Sequence, residues 1–132
     1  MKYIDVNIFV SAITGDDQAR LVLTQIASGK LKAATSVLSW DELTWSLRKY
    51  LTRDEIFSEG RRFLLFPNLT FVAADQSIVG YAQELMEKYN LDPRDALHAA
   101  SALNNDITEM ISDDEHFEKV KELNRISLKE IK

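Results

Sequence analysis

The sequence predicts an α/β fold: a three-layer α/β/α sandwich around a parallel sheet of four to five strands. Two observations predict it. Short apolar segments of strand length alternate with longer segments whose apolar residues recur at helical spacing. Nearly every join between successive strands also holds a helix, which parallel strands require and tight antiparallel hairpins do not. The 132 residues hold no Gly/Ser linker, low-complexity tract or internal repeat, so a single domain over residues 1–132 is expected.

Taken in order, Tyr3 to Asp5 reads as a short first strand. A helix follows from about Asp16 to Ser28, with Leu21, Val22 and Ile26 on one face, and Gly29 stops it. "KAATSV" is the second strand. A helix from near Ser39 carries Trp40, Leu43, Leu47 and Leu51 at helical spacing. Thr52-Arg53-Asp54 restarts a helix holding Ile56, Phe57, Phe63, Leu64 and Phe66, which Pro67-Asn68 breaks. "LTFVAA" is the third strand, and Asp75 caps a helix running to about Tyr89. Asp92-Pro93 opens another, to about Leu103. "EMIS" is the fourth strand, a helix is expected from about Asp114 to Leu123, and "RIS" is a candidate fifth strand at an edge.

The absence of cysteine excludes a disulfide framework, a thiolate metal site and a thiol nucleophile. No signal peptide or membrane span is evident, so a cytoplasmic protein without a membrane partner is expected. The formal net charge of −5 is the wrong sign for a protein that holds phosphates by its overall charge. A nucleic-acid substrate would need a bound cation or a local basic patch. Arg48, Lys49 and Arg53 form one basic group and Arg61 and Arg62 another, readable as such a patch or, more plainly, as solvated helix faces.

The acids carry the functional signal. Asp5 ends the first strand beside Asn7, where a turn or cap residue is the plain explanation. Glu42 closes "SWDE", which fits an S-x-x-E capping box from Ser39. Asp95 stands third in a helix opened by Asp92-Pro93, where the helix dipole favours a carboxylate. Ser112, Asp113 and Asp114 follow the fourth strand, and Ser112 with Glu115 fits another capping box. Each has a local reason to be where it is.

Together they fit a different pattern. Asp5, Ser112, Asp113 and Asp114 fall at the carboxyl ends of predicted strands, and Glu42 and Asp95 fall in first turns of helices that follow strands. In a parallel sheet those places share one rim, where ligands bind. Carboxylates crowded there raise one another's pKa unless a cation sits among them. An all-oxygen set points to a hard cation, Mg²⁺ or Mn²⁺, a common means of hydrolysing phosphodiesters.

Other residues carry less. His98 lies one turn beyond Asp95, where a half-buried packing histidine is the expected role, and His116 reads as surface or packing. Trp40 and Trp45 point to different sides of their helix, with at least one expected in the core or an interface. Phosphate-loop, dinucleotide and nucleophile-elbow motifs are missing.

Four segments in order resemble the PIN-domain family, and in particular its small VapC-type toxin ribonucleases. These are "YIDVNIFV", "TSVLSWDEL", "LDPRDALHAA" and "ISDDEHF", and the resemblance spans essentially the whole chain. Position by position, Asp5, Glu42, Asp95 and Asp114 match the family's acidic quartet, Ser112 its supporting polar residue, and Asn7 and Asp113 secondary positions near the metal. Val6 departs from the family's frequent Thr, and the Asp113-Asp114 pair leaves two acids for one position. Phe117, three residues after Asp114, favours Asp114.

The resemblance implies Mg²⁺- or Mn²⁺-dependent hydrolysis of single-stranded RNA, as the toxin of a type II toxin–antitoxin pair. Asp5, Asp95 and Asp114 would hold metal, directly or through water, and Glu42 would orient or deprotonate the attacking water. A homodimer and a basic antitoxin are implied as well, the antitoxin lying in a groove supplied by the helices from Trp40 to Phe66. Three other readings compete: a free-standing nuclease in RNA processing or quality control, a non-catalytic PIN scaffold, and a phosphoacceptor signalling domain. The last needs paired acids after the first strand, where only Asp5 stands.

Overall fold

A computed structural model of the chain describes residues 1–131. Strands β1 (Lys2–Ile4), β2 (Ala33–Ser36), β3 (Leu69–Val72), β4 (Glu109–Ile111) and β5 (Asn124–Ile126) form one sheet in the order β3-β2-β1-β4-β5. Every pairing is parallel, with Tyr3 opposite both Ala34 and Met110. Helices α1 (Val6–Ile13) and α2 (Asp17–Ala27) join β1 to β2. Helices α3 (Ser39–Ser46) and α4 (Arg53–Leu64) join β2 to β3, and α5 (Gln76–Tyr89) and α6 (Pro93–Asn104) carry the chain from β3 to β4. Short 3₁₀ turns lie at Leu47–Lys49, Glu115–Lys119 and Leu128–Glu130.

Alternation along the strands builds two cores. Tyr3, Ala34 and Met110 pack with Ala96, Ala99, Ala100 and Phe117 on one face. Their neighbours Ile4, Ala33 and Ile111 pack with Ile8, Phe9, Val22, Leu43 and Phe63 on the other. The first face is built on small residues, since Ala96, Ala99, Ala100 and Ala102 are fully buried and let α6 lie close to the sheet. The second is aromatic, with Phe63 edge-on to Phe9 and Phe71 at ring-centre distances of 4.9 and 5.2 Å.

Most expected boundaries lie within a residue or two of the observed ones, and the helix starts have identifiable causes. Asp16 and Asp75 cap α2 and α5 through their side chains. Thr52 and Glu55 form a reciprocal capping box at α4. Asn90 closes α5 in the left-handed region, at φ 55°, and turns the chain into "LDP".

The structure also corrects several expectations. Val6–Ile13, which the sequence leaves unassigned, is helical: its β-branched residues hide a helical face of Val6, Phe9 and Ala12. The segment after Asp114 is a 3₁₀ turn over Glu115–Lys119 and not a helix to Leu123. It must return to start β5 beside β4, where the Asn124 N–H bonds to the Thr108 carbonyl at 2.7 Å. The Ser39 capping box does not form. Leu38 occupies the cap position without a side-chain bond, and the Ser39 hydroxyl pairs with that of Thr35 at 2.7 Å. Trp40 and Trp45 are 44% and 55% exposed, so neither is a core residue. The basic groups do sit on exposed faces, with Arg48 stacked on Trp45 and Arg62 paired with Glu59 at 3.1 Å.

Candidate active site

The sheet order puts β1 in the middle, with the chain proceeding to β2 on one side and returning at β4 on the other. That is a topological switch point, and the crevice beyond the carboxyl ends of β1 and β4 is the natural place for a ligand. Asp5 stands there, one residue past β1, with its backbone N–H bonded to the Ile111 carbonyl at 3.0 Å. Its side chain caps α1: Oδ1 accepts the Asn7 N–H at 3.2 Å. The other oxygen, Oδ2, accepts the Ser112 hydroxyl at 2.5 Å.

Ser112 ties two acids together. While its hydroxyl donates to Asp5, its Oγ accepts the backbone N–H of Asp114 at 3.0 Å. It is therefore not the capping-box residue that its spacing to Glu115 suggests. Asp114 fills the cap role, with Oδ1 accepting the His116 N–H at 2.9 Å. Ser112 is itself fixed, its N–H bonded to the Ile126 carbonyl and its carbonyl to the Arg125 guanidinium, both at 3.0 Å.

Asp95 arrives from the opposite side as the third residue of α6. It does not act as a side-chain cap, and Asp92, at the cap position, makes no side-chain bond either; Pro93 is enough to start the helix. His116 Nδ1 lies 2.9 Å from Asp114 Oδ1 and 3.9 Å from Asp95 Oδ2, within hydrogen-bond range only of the first. Asp95, Asp114 and His116 each offer a ligand atom, all within 4.8 Å of one another.

The electrostatics match this crowding. Burial, then the charge of Asp114, push the Asp95 carboxyl up from 3.8 to about 6; His116 opposes the rise and Asp5 adds to it. Burial also raises the Asp5 carboxyl. The Ser112 and Asn7 hydrogen bonds and His98 oppose that rise, and Asp114 adds to it.

Glu42 is held differently. It is half-buried in α3, and its Oε1 lies 2.7 Å from Nε2 of His98. His98, expected as a half-buried packing residue, is 3% exposed and bonded at both ring nitrogens. Its Nδ1 lies 2.5 Å from the Tyr3 hydroxyl, which accepts the Ser36 N–H at 3.0 Å. Three positions past Asp95 on the same helix, His98 faces the same rim, and that spacing was the available signal.

Of the remaining expected residues, Asn7 reaches Asp5 through its backbone N–H while its side chain is exposed. Asp113 has a structural partner: its Oδ1 accepts the Leu128 N–H at 2.8 Å and anchors the chain after β5. His116, expected as surface or packing, joins the acids instead. The donor set suits a divalent cation, since two carboxylates and an imidazole converge beside a third, buried carboxylate, and their repulsion is what a cation would relieve.

A family model described as PIN domain matches residues 2–123. The chain belongs to the PIN-domain family. Comparison with curated proteins gives no match. Among solved structures, a chain of the DNA-bound VapBC complex from Salmonella typhimurium superposes with a TM-score of 0.77 at 15% identity, over 97% of this chain and 98% of that one. A chain of VapBC2 from Rickettsia felis, bound to a promoter DNA fragment, gives 0.74 at 22% identity over 96% and 98%. The sarcin–ricin loop cleaving toxin VapC20 of Mycobacterium tuberculosis gives 0.72 at 14% identity over 89% and 93%. This PIN domain thus shares its fold with those proteins across nearly its full length.

Proposed function

We propose that this PIN domain, acting as one unit over the whole chain, is a divalent-metal-dependent ribonuclease that hydrolyses single-stranded RNA. The observation that carries the reading is the convergence of Asp5, Asp95 and Asp114 at the switch point, with the Asp5 and Asp95 carboxyls both pushed up. Such a cluster costs stability and has a purpose when a cation binds there. Asp5, Asp95 and Asp114 would hold Mg²⁺ or Mn²⁺, with His116 at the exposed edge. A bound divalent ion supplies charge stabilisation at the phosphate and a more acidic water. Ser112 keeps Asp5 and Asp114 in register, and Glu42 orients or deprotonates the attacking water.

The test is cleavage of a single-stranded RNA by purified protein. Cleavage is expected with Mg²⁺ or Mn²⁺, stopped by EDTA, and lost in Asp95→Asn. Metal-independent cleavage, or full activity in that variant, overturns the reading.

The same reading makes the protein the toxin of a toxin–antitoxin pair, a cytoplasmic homodimer with a basic antitoxin. Three of its structural relatives are VapBC complexes or a toxin. No helix among the described residues is long and apolar enough to cross a membrane. A cavity of about 470 Å³ between α1, α2 and α4, lined by Phe9, Ile13, Leu23, Phe63 and Phe66, suits an apolar peptide segment. Arg20, Arg62 and Glu59 stand among its lining residues, where they can meet the segment's polar groups. Exposed Trp40, Phe57 and Leu64 extend the apolar surface for a partner or a second copy. Co-purification with the product of the neighbouring gene, and suppression of cleavage by it, is the check. A nuclease that binds no such product is instead free-standing in RNA processing.

A further inference from the structure

Burying an imidazole among alanines costs free energy unless both nitrogens are satisfied, and a leucine would fill the same place at no such cost. His98 is flanked in α6 by Ala96, Ala99 and Ala100, all fully buried, and is 3% exposed itself. Both of its nitrogens are bonded, and the partners dictate which carries the proton. The Ser36 N–H can only donate, so the Tyr3 oxygen accepts it, and the hydroxyl proton stays available for His98 Nδ1. A carboxylate can only accept, so Nε2 must donate to Glu42 Oε1 at 2.7 Å. In the neutral imidazole Nδ1 is then the acceptor, and the Tyr3 hydroxyl supplies the proton it needs. The result is a directed chain: a backbone amide of β2 orients Tyr3, Tyr3 orients the imidazole, and the imidazole holds one oxygen of Glu42.

We infer that His98 is a positioning residue for Glu42, holding Oε1 so that Oε2 alone is left to act on the water or the metal shell. This rests on the nuclease reading above, in which Glu42 works on the attacking water. It also explains why Glu42 stands outside the tight Asp95–Asp114–His116 group. One of its oxygens is already committed, and the residue that commits it is anchored to β1 and β2 through Tyr3 and Ser36. Partners that orient an active carboxylate in this way contribute about 10- to 100-fold to activity or metal affinity.

Two measurements test it. The first needs no activity: ¹⁵N spectra of imidazole-labelled protein, assigned with His116→Ala, report which nitrogen of His98 carries the proton. A protonated Nε2 is expected; a bare Nε2 overturns the inference. The second is a kinetic cycle in single-stranded RNA cleavage. His98→Leu should lower kcat by about 10- to 100-fold with KM nearly unchanged. His98→Gln, which keeps a donor toward Glu42, should recover most of the loss. In a Glu42→Gln background, His98→Leu should cost nothing further. An equal additional loss in that background means that His98 only supports packing, and overturns the inference. If His98→Leu fails to fold, Tyr3→Phe takes its place: it frees the imidazole tautomer, and its loss of kcat should also vanish with Glu42→Gln. Wild-type protein that cleaves no RNA defeats the nuclease reading, while the spectroscopic result still decides the tautomer.

Discussion

Two halves of one rim hold their carboxylates in opposite ways. On one side Asp5, Asp95 and Asp114 crowd together; Asp5 accepts from a hydroxyl and an amide and Asp114 from the His116 amide, while Asp95 is raised to about 6. On the other, Glu42 is held by a single buried imidazole, itself held by a tyrosine and a backbone amide. The first arrangement is under electrostatic strain that a cation would relieve; the second is already satisfied. The difference separates binding from orientation. A site that captures a metal gains from unpaired negative charge, while a carboxylate that acts on one water gains from having a single free oxygen.

Substitutions in the crowded half should produce the largest effects and divide neighbouring residues sharply. Asp114→Asn is expected to lower RNA cleavage by about 100-fold or more. Asp113→Asn, one residue away, should change it by less than about threefold, because that carboxylate serves the Leu128 N–H. Equal losses in single-turnover assays would erase the distinction between the two acids.

Next in size is the tie between acids. Ser112→Ala leaves the buried Asp5 carboxylate without its 2.5 Å donor and the Asp114 N–H without its acceptor. A loss of about 1–3 kcal/mol in urea unfolding is expected. An unchanged midpoint would mean that Asp5 is adequately held by Asn7 alone.

Smaller, and opposite in sign, is the effect of relieving repulsion. With the Asp95 carboxyl raised from 3.8 to about 6, the folded metal-free protein keeps a proton that the unfolded chain has released. The stability this group contributes is full below about pH 4 and is lost as pH rises through about 6. Asp95→Asn keeps a neutral side chain at every pH. In EDTA it should match the parent near pH 4 and exceed it at neutral pH by on the order of 1 kcal/mol, once screening of the part-exposed carboxylate is allowed for. Thermal unfolding at the two pH values decides it, and a variant less stable at both would make Asp95 chiefly a structural residue of α6.

The smallest expected effect is that of His116→Ala. Its ring is exposed at the edge of the group. Mn²⁺ affinity measured by titration should weaken by less than about tenfold, against a far larger loss in Asp114→Asn.

The fold was legible because strand and helix segments alternate with clear punctuation: Asp16, Thr52 and Asp75 announce helix starts, and Pro67-Asn68 announces a stop. Helix α1 was not legible, since Val6, Ile8, Val10 and Ile13 carry a strand-like composition on a helical period. The acids were legible as a set, because only a shared rim explains all of them at once. Their local partners were not. Ser39 and Ser112 each have capping-box spacing, yet each hydroxyl is committed to a residue distant in sequence or on the preceding strand. His98 was undervalued for the same reason: its partners, Tyr3 and Glu42, lie 95 and 56 residues away.

The sheet order carries a consequence for synthesis of the chain. Asp5 is made before its hydroxyl partner Ser112, which lies 107 residues later, and Asp114 follows later still. A nascent chain holding only β1, β2 and β3 has Asp5 and Glu42 but lacks β4, which completes the crevice beside β1. On the proposed reading the site is complete only once β4 pairs with β1.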